Sequence, residues 1–194
     1  IQNTSPFYVS FEGGNQVGLF TVNNNASLTL NNLKLRRGHS LSGGAVFNDE
    51  STLNVINTTF SFNTTMMNAT LGGIMNWGQG GAIYSFGEAT TIITGTDFLD
   101  NQATFGGAIS MQPRWDDATS QFYYGNLFVT NSRFDSNWAV NSGAIAANGT
   151  LNLDGNRFEL NVADVAAAVQ YLGTDSTESI MVTNNIFKSH FSTY

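Results

Sequence analysis

The stretch Phe134–Ile145, F-D-S-N-W-A-V-N-S-G-A-I, contains the pattern that decides the fold. Its aromatic residue is followed three positions later by Asn, and five positions after that by two small residues, an Ala and an aliphatic residue. The same pattern begins at Phe98 and at Phe158, and a relaxed copy begins at Leu35. Recurrence of one pattern in fixed internal register predicts a repeat architecture.

Aligning the copies on the first residue of this pattern, the anchor, shows what each position contributes. The residues seven and five positions before the anchor are apolar or Thr and alternate with polar ones, which predicts a short strand. The position three residues before the anchor holds only Asn or Gly, the residues that best tolerate a left-handed backbone, and this predicts a turn. The anchors are Leu35, Phe60, Phe98, Phe134, Phe158 and Phe187, and the predicted turn residues are Asn32, Asn57, Gly95, Asn131, Gly155 and Asn184.

These positions predict an all-β fold with three short strands in each repeat of about 24 residues. Three short strands in a repeat of this length are typical of a parallel β-helix. About six to seven coils are expected, spaced at about 4.8 Å. The phenylalanines then form an interior stack, the asparagines after them form a hydrogen-bonded ladder, and the small block allows close packing.

The repeats extend over most of the chain, so we expect one β-helical segment over residues 1–194, belonging to a longer protein. Two copies are interrupted by extra residues, at about 64–79 and 112–125. Insertions in repeat proteins leave the core as surface loops and often carry binding residues.

Composition excludes several functional classes. Charged residues are 11% of the chain, the net charge is −7, and Lys and Arg together number 7. A nucleic-acid surface or an anionic-membrane surface needs a basic patch, which this composition does not provide. There is no cysteine, hence no disulfide framework, and no apolar run is long enough to span a membrane.

The paired motifs G-G-A-I/V and F-x-x-N resemble the repeats of the chlamydial polymorphic membrane proteins. They are carried here by Gly43–Val46, Gly80–Ile83 and Gly106–Ile109, and by the four Phe-x-x-Asn motifs that begin at Phe60, Phe98, Phe134 and Phe158. The resemblance covers about residues 11–190 and implies a right-handed β-helical protein displayed outside the cell and used in adhesion. The chain departs from that family in having no cysteine.

The second insertion contains the strongest candidate binding residues. Aromatic and acidic side chains cluster within it, and aromatic rings stack on sugars while carboxylates accept bonds from sugar hydroxyls. The same patch also suits a partner protein. The alternative is that these aromatics fold back over the repeats and serve stability. The candidate residues are Trp115, Asp116, Asp117, Tyr123 and Tyr124.

Charged residues also fall in register beside two anchors. Asp135 precedes Glu159 by one repeat, and Arg133 precedes Arg157. Two carboxylates on adjacent coils suit a general acid and base in glycoside chemistry. The alternative is a surface column in which each Arg offsets its own acidic neighbour.

The chain contains several N-x-S/T sequons, and its abundance of Asn, Ser and Thr makes some of them expected by chance. Asn68 lies in an insertion, whereas Asn25 and Asn148 lie just before predicted strands. These three are the candidate glycosylation sites if the protein is secreted. No arrangement of residues in the sequence as a whole indicates a catalytic set, a metal site or a cofactor.

The sequence therefore predicts a non-enzymatic, extracellular or cell-surface protein of structural or adhesive type, which could form a filament or surface layer. Expected partners are further copies joined end to end, or other surface proteins and glycans, without nucleic acid and without membrane insertion. Two alternatives stay open: a polysaccharide lyase, hydrolase or epimerase on the same fold, and a carbohydrate-binding module that uses Trp115.

Overall fold

The computed structural model describes residues 1–4, 8–66, 69–71, 74–173 and 178–192. These residues form strands, turns and irregular segments and contain no helix. The all-β prediction is confirmed.

Most strands belong to four parallel sheets. Sheet 1 comprises β1 (Val9–Glu12), β4 (Leu33–Arg36), β8 (Thr59–Ser61), β14 (Asp97–Leu99), β20 (Arg133–Asp135), β24 (Arg157–Glu159) and β28 (Ile186–Lys188). Sheet 2 comprises β2 (Phe20–Val22), β6 (Val46–Asp49), β12 (Ile83–Phe86), β16 (Ile109–Gln112), β22 (Ile145–Ala147) and β26 (Val169–Tyr171). Sheet 3 comprises β3 (Ser27–Asn31), β7 (Thr52–Ile56), β13 (Thr90–Thr94), β19 (Gly125–Thr130), β23 (Gly149–Asp154) and β27 (Ile180–Thr183). Sheet 4 comprises β5 (His39–Ser40), β9 (Thr64–Thr65), β15 (Gln102–Phe105), β21 (Trp138–Asn141), β25 (Val162–Ala163) and β29 (Phe191–Ser192).

The chain visits these sheets in a fixed cycle of sheet 2, sheet 3, sheet 1 and sheet 4. Neighbouring strands within each sheet come from successive repeats, and they pair in parallel. Each complete repeat thus contains four strands, so the prediction of three was wrong. The missed strands are those of sheet 4, which are only two to four residues long and too short to show alternation.

Both predicted insertions contain a two-stranded antiparallel hairpin. The first is formed by β10 (Ala69–Leu71) and β11 (Ile74–Asn76), and the second by β17 (Arg114–Asp116) and β18 (Gln121–Tyr123). The second hairpin leaves the repeat directly after β16 and returns at β19, so it extends from the end of sheet 2.

The core contains the predicted stack of phenylalanines. Phe60, Phe98, Phe134 and Phe158 are fully buried, and successive ring centroids lie 5.0, 4.8 and 4.8 Å apart. The rings are parallel to within 8°. Parallel pairing in register places each ring directly over the one in the preceding repeat, because β8, β14, β20 and β24 align these residues.

The predicted turns between sheets 3 and 1 are confirmed at all six positions, each with φ between 47° and 66°. The predicted asparagine column is confirmed as well. Asn101 Nδ2 donates to Phe60 O at 3.1 Å and to Asn137 Oδ1 at 3.0 Å, and Asn101 N donates to Asn137 Oδ1 at 3.1 Å. Each asparagine of this kind therefore ties its own repeat to both neighbours.

The last repeat differs from those before it in exposure. Phe187 continues the phenylalanine stack at 4.8 Å from Phe158, yet it is 45% exposed. Ile180 and Val182, in register with buried Leu151 and Leu153, are exposed as well. In the described part of the chain, no repeat covers this side of them.

Candidate ligand-binding hairpin

The hairpin of β17 and β18 brings the predicted binding residues together. Its register pairs Arg114 with Tyr123, Trp115 with Phe122, and Asp116 with Gln121. Because successive side chains of a strand point to opposite faces, Trp115 and Phe122 lie on one face, and Arg114 and Tyr123 lie on the other.

The first face is an exposed aromatic pair. Trp115 and Phe122 are 46% and 50% exposed, and their ring centroids lie 4.8 Å apart in an edge-to-face arrangement. The indole Nε1 of Trp115 donates to Asp117 Oδ1 at 2.7 Å. This bond orients the indole and uses its only donor, so the ring face is what remains for a ligand.

The opposite face anchors the hairpin to the repeats. Arg114 Nε donates to the carboxylate of Glu50, in the turn that follows β6. The Arg114 guanidinium also lies 4.8 Å above the ring of Tyr123, a cation–π contact. The ion pair joins two segments separated by 64 positions in sequence.

The hairpin thus brings the five predicted residues together, but these residues make different kinds of contact. Trp115 and Asp117 form the exposed part, and Tyr123 contacts the anchor. Asp116 accepts a hydrogen bond from Ala118 N at 2.9 Å, and this bond lowers the pKa of its carboxyl group below 3.8. Tyr124 lies 6.0 Å from Phe122, ring to ring. Ligand binding by these residues stays a prediction.

Removing the anchor should loosen the hairpin without unfolding the repeats. For Arg114→Met we expect a change of less than about 1 kcal/mol in the free energy of unfolding, because both partners of this ion pair are partly exposed. Amides of Arg114–Tyr123 should nevertheless exchange markedly faster, since the hairpin's anchoring contacts are lost. Hydrogen exchange with mass spectrometry measures both regions. Arg133→Met, which removes a comparable ion pair elsewhere, is the control and should leave exchange in the hairpin unchanged.

The charged column beside the phenylalanines consists of ion pairs within single strands. Arg133 pairs with Asp135, and Arg157 donates to Glu159 through Nε and Nη2, both at 2.8 Å. The hydrogen bonds from Arg157 lower the pKa of Glu159 below its ordinary value of 4.5. A general acid near neutral pH needs a raised pKa, so this geometry favours the surface ion pairs over a catalytic pair.

The glycosylation candidates differ in accessibility. Asn25 is exposed in a left-handed turn before β3. Asn148 is half-buried, and its Oδ1 is buried without a hydrogen-bond partner. Asn68 lies outside the described residues. Of the two candidates that the structure describes, Asn25 offers more room for a glycan.

Two features of the site lay outside the sequence prediction. Glu50 is the acceptor that holds the hairpin, and nothing local to Glu50 indicates this role.

A second aromatic pair, Phe47 and Tyr84, lies on the outer face of sheet 2, where the rings stack at 5.4 Å. Its signal was present in the sequence, because each residue directly follows the aliphatic residue of a G-G-A-I/V block.

Among the described residues, no group of three or more His, Asp or Glu side chains is placed to hold a metal ion. The part of the chain that the structure describes also has no helix with the length and hydropathy needed to cross a bilayer.

No family model matches the chain, and comparison with curated proteins and with solved structures gave no significant match either.

Proposed function

We propose that this chain is an extracellular structural and adhesive protein whose four sheets wind as a right-handed parallel β-helix, with repeats of the polymorphic membrane protein type. The chain passes through the four sheets in the same order in every repeat, and strands of successive repeats pair in parallel. Both observations support this winding. The observation that carries the adhesive function is the exposed pair Trp115–Phe122, held on an anchored hairpin. An aromatic pair presented rigidly loses little entropy when a partner binds.

The distribution of cations supports binding rather than catalysis. Arg36, Arg114, Arg133 and Arg157 each lie within ion-pair distance of a carboxylate, and Lys34 lies over the ring of Tyr8. These cations contribute to local structure, so they are less available to assist a reaction.

Adhesion is tested with beads that carry the purified chain. We expect the beads to be retained on at least one of three surfaces: a glycan array, immobilised fibronectin or fixed epithelial cells. The double variant Trp115→Ala/Phe122→Ala should lose most of this retention. Trp77→Ala is the matched control, because Trp77 is exposed to a similar degree outside the hairpin. Equal retention of the double variant and the unaltered chain would contradict adhesion through the hairpin, and no retention on any surface would contradict adhesion itself.

We also propose contact between copies through the last repeat, which would support assembly into filaments or a surface layer. Exposed Ile180, Val182 and Phe187 continue buried positions of the preceding repeats, so the apolar surface of a further repeat, from this chain or from another copy, would complete their packing. Sedimentation velocity should show concentration-dependent association that Val182→Asp abolishes. Monomers of the unaltered chain at every concentration would contradict this contact.

One observation favours an enzyme as the second candidate. Burial, together with the charge of Glu50, raises the pKa of Asp49 above 3.8, whereas the charge of Arg114 acts in the opposite direction. A carboxyl group whose pKa is raised by burial and by a neighbouring carboxylate is a candidate general acid. Release of reducing ends from polysaccharides, lost in Asp49→Asn, would establish this alternative.

A further inference from the structure

A cleft on the outer face of sheet 2 is separate from the exposed aromatic pair of the hairpin. Its volume is about 400 Å³, within the range of roughly 300–1,000 Å³ that is usual for small-molecule sites. It lies where the turn after β5 meets sheet 2. The residues that line it and carry the argument are Phe20, Thr21, Ser42, Phe47 and Tyr84.

The floor of the cleft is a flat aromatic surface. Pairing in sheet 2 places Thr21, Phe47 and Tyr84 side by side in three successive repeats. The rings of Phe47 and Tyr84 are parallel to within 10°, with centroids 5.4 Å apart. Farther along the same column, buried Ser110 donates to Gln79 Oε1 at 2.6 Å. The two rings thus form one ledge that ends at Ser110.

The rim of the cleft is polar but uncharged. Thr21 and Ser42 contribute hydroxyl groups, and no Asp, Glu, Lys or Arg of the part of the chain that the structure describes lines the cavity. The hydroxyl of Tyr84 has no hydrogen-bond partner among the described residues, and burial raises the pKa of Tyr84 well above 10. This hydroxyl therefore stays protonated and can both donate and accept a hydrogen bond.

An acidic charge lies close to the ledge of the cleft. Asp49 follows Phe47 on β6 and interacts with Tyr84, whereas the guanidinium of Arg114 is already paired with Glu50. An anionic ligand would therefore meet repulsion, and a neutral ligand rich in hydroxyl groups would not.

We propose that this cleft binds the pyranose ring of a neutral sugar residue in a glycan. A pyranose has an apolar C–H face, which packs on aromatic rings, and an edge of hydroxyl groups, which need hydrogen-bond partners. The ledge of Phe47 and Tyr84 matches the face, and the hydroxyls of Thr21, Ser42 and Tyr84 match the edge. This site is independent of the adhesive role assigned to the hairpin.

The experiment is saturation-transfer NMR on the intact chain, using methyl β-glucoside, N-acetylglucosamine, galacturonate and chitohexaose as probes. We expect transfer to the neutral sugars, strongest at their C–H face protons, and little to galacturonate. If chitohexaose binds and the single sugars do not, the ligand is a glycan chain rather than a free sugar.

Variants locate the binding. Phe47→Ala should weaken binding by about tenfold or more, because it removes most of one ring's apolar contact. Tyr84→Phe keeps the ledge and should weaken binding only by a few-fold, through loss of one hydroxyl. Leu41 also lines the cleft, and Leu41→Trp should abolish binding by filling the cleft without altering the ledge. Ile92→Ala, at an exposed apolar residue of β13 outside both the cleft and the hairpin, should leave binding unchanged, and circular dichroism checks the fold of each variant.

Three results would overturn the proposal: no transfer to any neutral sugar, full binding by both Phe47→Ala and Leu41→Trp, or galacturonate binding as strongly as the neutral sugars. Transfer lost in Trp115→Ala but kept in Phe47→Ala would move the sugar site to the hairpin and exclude the cleft. Failure of bead adhesion leaves this test intact, because the two readouts depend on different side chains.

Discussion

Asn137→Ala should lower the free energy of unfolding by about 3–5 kcal/mol, because it leaves several buried polar groups without partners. Asn137 is fully buried. Its Oδ1 accepts from Asn101 N and Asn101 Nδ2, and its Nδ2 donates to Phe98 O at 3.0 Å. Chemical denaturation at equilibrium measures the change.

Asn152→Ala is the matched control for this prediction. Asn152 lies on the outer face of β23, and the one side-chain contact described for it is a distance of 3.9 Å to the sulfur of Met181. We expect an effect within about 0.5 kcal/mol, as for most surface substitutions. Similar losses in the two variants would show that the column contributes no special stability.

Gly107→Ala should destabilise the protein by more than about 4 kcal/mol or prevent folding, because the added methyl group has no space. A Cβ at this position would lie 2.2 Å from Gly143 O and 2.6 Å from Trp138 O. Both contacts are to backbone, so a side-chain rotation cannot relieve them. Gly44, Gly81 and Gly143 have the same kind of contact with the next repeat. Soluble yield and thermal unfolding measure the effect.

Gly18→Ala is the control, since Gly18 occupies the corresponding position in the first repeat. The nearest atom to an added Cβ there is Ser40 Cβ at 3.4 Å, and the backbone oxygen of Gly44 is 3.8 Å away. We expect that variant to fold with a thermal midpoint close to that of the unaltered chain. Comparable yield and stability for Gly107→Ala would show that the repeats can separate enough to admit a methyl group.

The main columns could be predicted because each is defined by one residue type at one position. Phe fills the same interior place in successive repeats, and Asn or Gly occupies the turn between sheets 3 and 1, where φ is positive. The strands of sheet 4 were not predicted because a strand such as Val162–Ala163 is too short to show the alternation of apolar and polar residues. Its strands are recognised only through their pairing with neighbouring repeats, which depends on three-dimensional structure.

The sites were predicted less completely than the fold. Trp115 and Asp117 were identified because aromatic and acidic residues cluster in an insertion, and the structure joins them through a hydrogen bond. The anchor between Glu50 and Arg114 depends on the direction in which the hairpin leaves β16, and no local pattern encodes that direction. The ledge of Phe47 and Tyr84 requires comparison across repeats of unequal length, because the first insertion separates these two residues.

The asparagine column also gives the protein an electrical polarity. In Asn63, Asn101 and Asn137, the side-chain Nδ2 donates to the Oδ1 of the next asparagine, so these amide dipoles all point along the repeats in the same sense. Hydrogen bonds in such a chain polarise one another. We therefore expect the bonds at Asn101, in the middle of the column, to be stronger than those at Asn63, and the two ends of the stack of repeats to differ in electrostatic potential even where their side chains carry no charge.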